Sequence, residues 1–109
     1  ENLMITRIRI VGVRPGRLDD YKENARAWRN LLHKNGGRVL GFYFNEADNT
    51  VTGIAEYESR ERLAEIQEEC EKDAAFPAIR ERGKELQVSL EELILDKLDS
   101  LVERPLCGE

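Results

Sequence analysis

The sequence predicts an α+β fold in the order strand, helix, strand, strand, helix, closed by an element that reads as helix or strand. Three observations carry this. ITRIRIVGVRPG, residues 5–16, is rich in β-branched side chains and runs into a Pro-Gly turn. Residues 17–35 repeat apolar side chains at steps of three and four, the helical spacing. Two β-rich runs, 38–46 and 50–58, then flank Ala47-Asp48-Asn49, a hairpin-turn composition.

The first strand, about residues 3–13, sets a puzzle. Arg7 and Arg9 lie two apart, so both point to one face with Ile5 and Val11, while Ile8 and Ile10 point to the other. In the helix that follows, Leu18, Tyr21, Ala25, Trp28, Leu31 and Leu32 make one stripe. Asp19, Asp20 and Glu23 sit near its start and Arg26, Arg29, His33 and Lys34 near its end, as the helix dipole prefers. Asn35-Gly36-Gly37 is the stop, with Gly36 or Gly37 expected at positive φ. Leu40, Phe42 and Phe44 share one face of the second strand, against Val39, Gly41, Tyr43 and Asn45. In the third, Thr52, Ile54 and Glu56 alternate with Val51, Gly53, Ala55 and Tyr57.

Ser59 is an N-cap candidate ahead of a short stripe of Leu63, Ile66 and Cys70. Asp73 and Pro77 suggest a break and a second helical piece holding Ile79 and Leu86. The closing stretch is ambiguous. Ser89 with Glu92 has a capping-box spacing, and leucines at 90, 93, 98 and 101 suit a helix, which periodicity alone favours. A strand around ELILDKL is the alternative. It would complete βαββαβ, the ferredoxin-like arrangement of a four-stranded antiparallel sheet with two helices on one face.

The 109 residues suffice for a single domain over 1–109, with 103–109 as a C-terminal tail, and for a core without disulfide or metal staples. No apolar run approaches the roughly 20 residues of a bilayer span, and no secretory leader is legible. Met4 is a candidate start, which would make residues 1–3 additional. Cys70 and Cys107 show no metal-ligand spacing and read as reduced thiols, the cytoplasmic pattern. Residues 1–45 hold nine Lys/Arg against four Asp/Glu, +5, and the remainder eight against eighteen, −10. The basic residues are scattered among strand, helix and turn without a nucleic-acid motif. Attraction between the two halves, within or between chains, is the expected use; neither nucleic acid nor membrane is an expected partner.

Little catalytic chemistry is legible. His33 is the single histidine and stands in the last helical turn, a structural position. Trp28 and Tyr21 fall on the apolar stripe, as core or cleft lining. Tyr43 would be the best polar group for orienting a ligand if its face lines a cleft. Gly36-Gly37 follows a helix rather than opening one, unlike a phosphate loop. The glutamates of EYESRERLAEIQEECEKD form a solvated face. Spacing identifies no acid–base pair, and catalytic residues stay unassigned.

IRIVGVRPGRLDDY, HKNGGRVLGFY, and KDAAFPAIRERG before a closing stretch ending in ERPL together resemble the NIPSNAP-like branch of the dimeric α/β-barrel proteins, related to antibiotic biosynthesis monooxygenases. The resemblance spans roughly residues 4–106 and rests on glycine, proline and aromatic placement. It implies a fourth strand near 92–99 and a homodimer whose open sheet faces pack together as a barrel. Helices cover one sheet face; Ile8 and Ile10 suit it. The other would carry Ile5, Arg7, Arg9, Val11, Thr52, Ile54 and Glu56, a dimer interface or ligand cleft with Arg–Glu56 as the first-choice pair. Relatives include cofactor-free monooxygenases and haem-degrading enzymes. The latter use an Asn, Trp and His set with the His on the second helix, which has none here, so no cofactor is expected. The expected function is a homodimer binding a small, partly apolar molecule, an anion being one option, in the cleft between sheet and helices. Arg7, Arg9, Trp28, Tyr43 and Glu56 are the candidate ligand residues. The alternative is a cofactor-independent monooxygenase acting on an aromatic or polyketide-like substrate.

Overall fold

The structure, a computed structural model, describes residues 3–98. β1 (Ile5–Val13) leads into α1 (Leu18–Lys34), the hairpin β2 (Arg38–Asn45) and β3 (Thr50–Tyr57), α2 (Arg60–Lys72), α3 (Phe76–Leu86) and β4 (Gln87–Asp96). The strands form one antiparallel sheet in the order β2-β3-β1-β4. This is the ferredoxin-like α+β arrangement, with the second helix broken in two.

Local chemistry explains each boundary. After α1, Gly36 takes φ +100° and donates to the His33 carbonyl at 3.2 Å, while Gly37 donates to Leu32 at 2.7 Å; an L side chain at Gly36 would be strained. In the hairpin, Asn49 adopts φ +58°, and its amide donates to the Val13 carbonyl at 2.7 Å, tying the turn to the end of β1. The Ser59 hydroxyl accepts from the Arg62 N–H at 3.0 Å and caps α2. Asp73 makes the break before α3: its carboxylate accepts from the Ala75 N–H at 2.8 Å and from Lys34 Nζ at 2.7 Å. Pro77 sits in the first turn of α3, where its missing N–H costs nothing.

The closing element corrects the periodicity reading. Residues 87–96 are strand, five residues ahead of the expected start and with no loop after α3. Ser89 lies inside this strand instead of capping a helix, paired with Gly12. A Cβ on Gly12 would run into the Ser89 hydroxyl and press on Val88, so glycine lets β4 lie against β1 here without those side chains turning away. Leu101, Cys107 and the expected tail 103–109 lie outside the described residues.

The faces of β1 are the reverse of the expectation, whereas Thr52, Ile54 and Glu56 of β3 lie on the side away from the helices, as expected. Ile5, Ala55 and Tyr57 join Leu31, Leu63, Ile66, Cys70 and Ile79 in the core between sheet and helices. Ile5 pairs with Tyr57, Arg7 with Ala55, Arg9 with Gly53 and Val11 with Val51. Directly opposed residues share a face, so the arginines lie on the helix-covered side. Ile8, Ile10, Ile54, Tyr43 and Glu56 lie on the open side, as do Leu93 and Leu95 of β4. No helix among the described residues is long and apolar enough to cross a membrane.

Candidate functional site

The space between sheet and helices holds a cavity of about 90 Å³. Its floor is Arg7, Arg9 and Val11 of β1 with Gly53, Ala55 and Tyr57 of β3; Val39 and Phe42 of β2 close one side. Its roof is α1, through Tyr21, Asn24, Ala25, Trp28 and Leu32, and Gly83 and Gln87 complete the wall. Helical spacing brings Tyr21, Ala25, Trp28 and Leu32 to one side of α1. Trp28 is held edge-on by Phe76, ring centroids 5.8 Å apart and planes at 83°. Gly53 leaves room for the Phe42 ring, which a Cβ there would meet at 3.0 Å. Asn24 is buried and donates through Nδ2 to the Ile79 carbonyl at 3.1 Å, fastening the roof to α3.

The polar chemistry of the cavity is concentrated in the arginines. The small residues opposite them, Ala55 and Gly53, leave the guanidiniums space beside a helix-covered sheet. Arg7 Nε donates to Glu92 Oε2 of β4 in a direct charge-assisted bond at 2.5 Å. Arg9 reaches the same oxygen only at 3.8 Å, and its buried Nε has no hydrogen-bond partner among the described residues. Burial lowers the Arg9 pKa; Arg7 adds to this, and the Glu92 carboxylate opposes it. Burial pushes the Tyr21 and Tyr57 phenols up, opposed by Arg9 and Arg7 respectively. Two arginines against the one glutamate beside them give this end of the cavity a formal excess of positive charge, next to the Tyr21 and Tyr57 phenols.

Of the five candidate ligand residues, the structure brings Arg7, Arg9 and Trp28 together on the cavity. It places Tyr43 and Glu56 elsewhere. Tyr43 is exposed on the open sheet face. Glu56 is buried there, accepting from Lys97 Nζ at 2.8 Å with Arg38 at 3.7 Å. The carboxylate partner of the arginines is Glu92, not Glu56. Glu92, Phe42 and Tyr57 are site residues that sequence reasoning did not nominate. His33 accepts from the Val39 N–H at 3.1 Å through Nε2 and locks the end of α1 to β2. Cys70 is a free, buried thiol whose pKa burial pushes up. Among the described residues, no group of three or more His, Cys, Asp or Glu is placed to hold a metal ion.

A protein-family model described as NIPSNAP matches residues 6–99. No curated protein matches the sequence. Among solved structures, a NIPSNAP family protein from Agrobacterium tumefaciens is 24% identical, with 91% of this chain and 90% of that one covered and a TM-score of 0.75. An uncharacterized NIPSNAP domain protein from Burkholderia xenovorans is 14% identical over 96% of this chain and 99% of that one, TM-score 0.77. SnoaB, a cofactor-independent oxygenase from Streptomyces nogalater, is 12% identical over 87% and 93%, TM-score 0.69. At these identities the structural likeness establishes the shared fold and not a reaction.

Proposed function

The chain belongs to the NIPSNAP family, and we propose that it is a homodimeric cytoplasmic protein that holds a small, partly apolar molecule between sheet and helices. The observation that carries this is the cavity itself. Protein interiors pack to the density of organic crystals, yet here aromatic and aliphatic side chains line a partly open cleft with a few convergent polar groups, the usual character of a ligand site. The open sheet face supports the dimer. Leu93, Leu95 and Tyr43 are exposed there beside half-buried Ile8, Ile10 and Ile54, more apolar surface than a solvated face needs. The free thiol of Cys70 fits a reducing compartment.

A second reading, a cofactor-independent oxygenase, draws on the fold shared with the Streptomyces nogalater enzyme. The cavity favours binding over that chemistry. Substrate deprotonation needs a base, and the phenols on the wall are held protonated by burial. Native mass spectrometry of protein purified under mild conditions tests the proposal. We expect a dimer of 12.6 kDa chains carrying a small-molecule mass increment on each. A bare monomer contradicts it, and oxygen uptake on adding an aromatic substrate would favour the second reading.

A further inference from the structure

Resting on the cavity reading, we propose that the bound molecule is a small monocarboxylic acid, its carboxylate on the Arg9 guanidinium and its apolar body between Trp28 and Phe42. Charge, donor geometry and size converge on this class. Arg7 and Arg9 bring two positive charges to the arginine end, and Glu92 returns one negative charge, spent on Arg7. The excess is one. A carboxylate matches it; a phosphate monoester, near two negative charges at neutral pH, would be left overcompensated in a largely apolar cleft.

Arg9 is also the group with unmet bonding capacity. Glu92 stands beyond hydrogen-bond reach of it, and its buried Nε has no partner. A guanidinium is a planar fork of donors that matches a carboxylate with two parallel bonds. An incoming carboxylate supplies the acceptors that Glu92 gives only to Arg7. Away from the arginines, Val11, Leu32, Val39 and the rings of Trp28 and Phe42 offer apolar contact for the rest of the molecule. At roughly 10–15 Å³ for each water-sized group, a cavity of about 90 Å³ seats on the order of six to nine non-hydrogen atoms. Benzoate and short branched-chain acids are of that size.

Trp28 is the single tryptophan and lies on the cavity, so its fluorescence reports binding directly. Benzoate, its neutral isostere benzamide, and phenyl phosphate are titrated into the protein at neutral pH and low salt. We expect benzoate to saturate the Trp28 signal at about tenfold lower concentration than either competitor, the scale of one charge-assisted contact. Arg9→Met should collapse the benzoate preference to within about twofold. Glu92→Gln, which removes the competing carboxylate, should tighten benzoate severalfold, a gain that a purely structural arginine pair would not produce. Equal binding of benzoate and benzamide overturns the carboxylate assignment and leaves the cavity reading standing. Stronger binding of phenyl phosphate also overturns it, as does a preference that survives Arg9→Met. If Arg9→Met does not fold, Glu92→Gln decides, and no gain in benzoate affinity overturns the assignment. No saturable response to any of the three compounds overturns the assignment and the cavity reading together.

Discussion

Arg7 and Arg9 occupy a position that simple hydrophobic sorting would refuse, the floor of a helix-covered sheet. They are tolerated because Gly53 and Ala55 stand opposite and leave room, and because Glu92 supplies a counter-charge from the neighbouring strand. That both share a face was legible from their spacing of two. Which face was not, since each side of β1 mixes aliphatic residues with residues that are charged, polar or small. The register would have decided it: Val51, Gly53, Ala55 and Tyr57 read as the helix-packing set of β3, and they pair with Ile5, Arg7, Arg9 and Val11. Sliding the pairing by one residue turns every side chain to the other face, and the register puts Glu92 of β4, not Glu56 of β3, on the side of the arginines. The Arg7–Glu92 pair predicts a coupling. Glu92→Leu alone should destabilise by about 1 kcal/mol, at the low end because Glu92 stays a third exposed. Arg7→Met in the same chain should recover most of that loss in urea melts. Additive losses would mean that the pair contributes nothing to stability.

At the scale of elements, the chain announces its boundaries wherever one residue type is required locally. Gly36 in the left-handed region, Ser59 as a cap, Asn49 in the hairpin and the break at Asp73 and Pro77 were all readable for that reason. β4 was not, because pairing with β1 decides it and no local signal does. Its apolar residues lie on both faces, Leu90 and Ile94 on one side and Leu93 and Leu95 on the other, which blurs the strand alternation into helical spacing. Asp73 carries a prediction at this scale, since it joins the ends of α1 and α2 to the start of α3. The hydrogen bond from Lys34 holds its carboxyl below the usual aspartate value, with the Ala75 N–H adding to the effect. A lowered folded-state pKa gives stability that is full above the unfolded value of about 3.9 and is lost as pH falls through the folded one. The stability advantage of wild type over Asp73→Asn should therefore hold steady above about pH 5 and shrink as acid is added below about pH 4. A pH-independent difference would contradict that linkage.

Across the whole molecule the charge asymmetry becomes internal glue. Arg7–Glu92, Lys34–Asp73 and Arg38–Glu56 each join the basic first half to the acidic second half. The sheet then divides its labour: one face, under three helices, encloses the arginines and the cavity, while the other presents apolar residues around the Glu56–Lys97 pair. The proposed ligand belongs to the first face and not to the second. Nitrogen- and carbon-resolved NMR of the side chains during a benzoate titration separates the two faces, because Trp28 Nε1–H and Arg9 Nε–H report on the cavity and the Tyr43 ring C–H groups report on the open face. The Trp28 and Arg9 signals should shift together and saturate while Tyr43 stays unmoved. Shifts confined to Tyr43 and its open-face neighbours, with Trp28 and Arg9 unchanged, would contradict that placement.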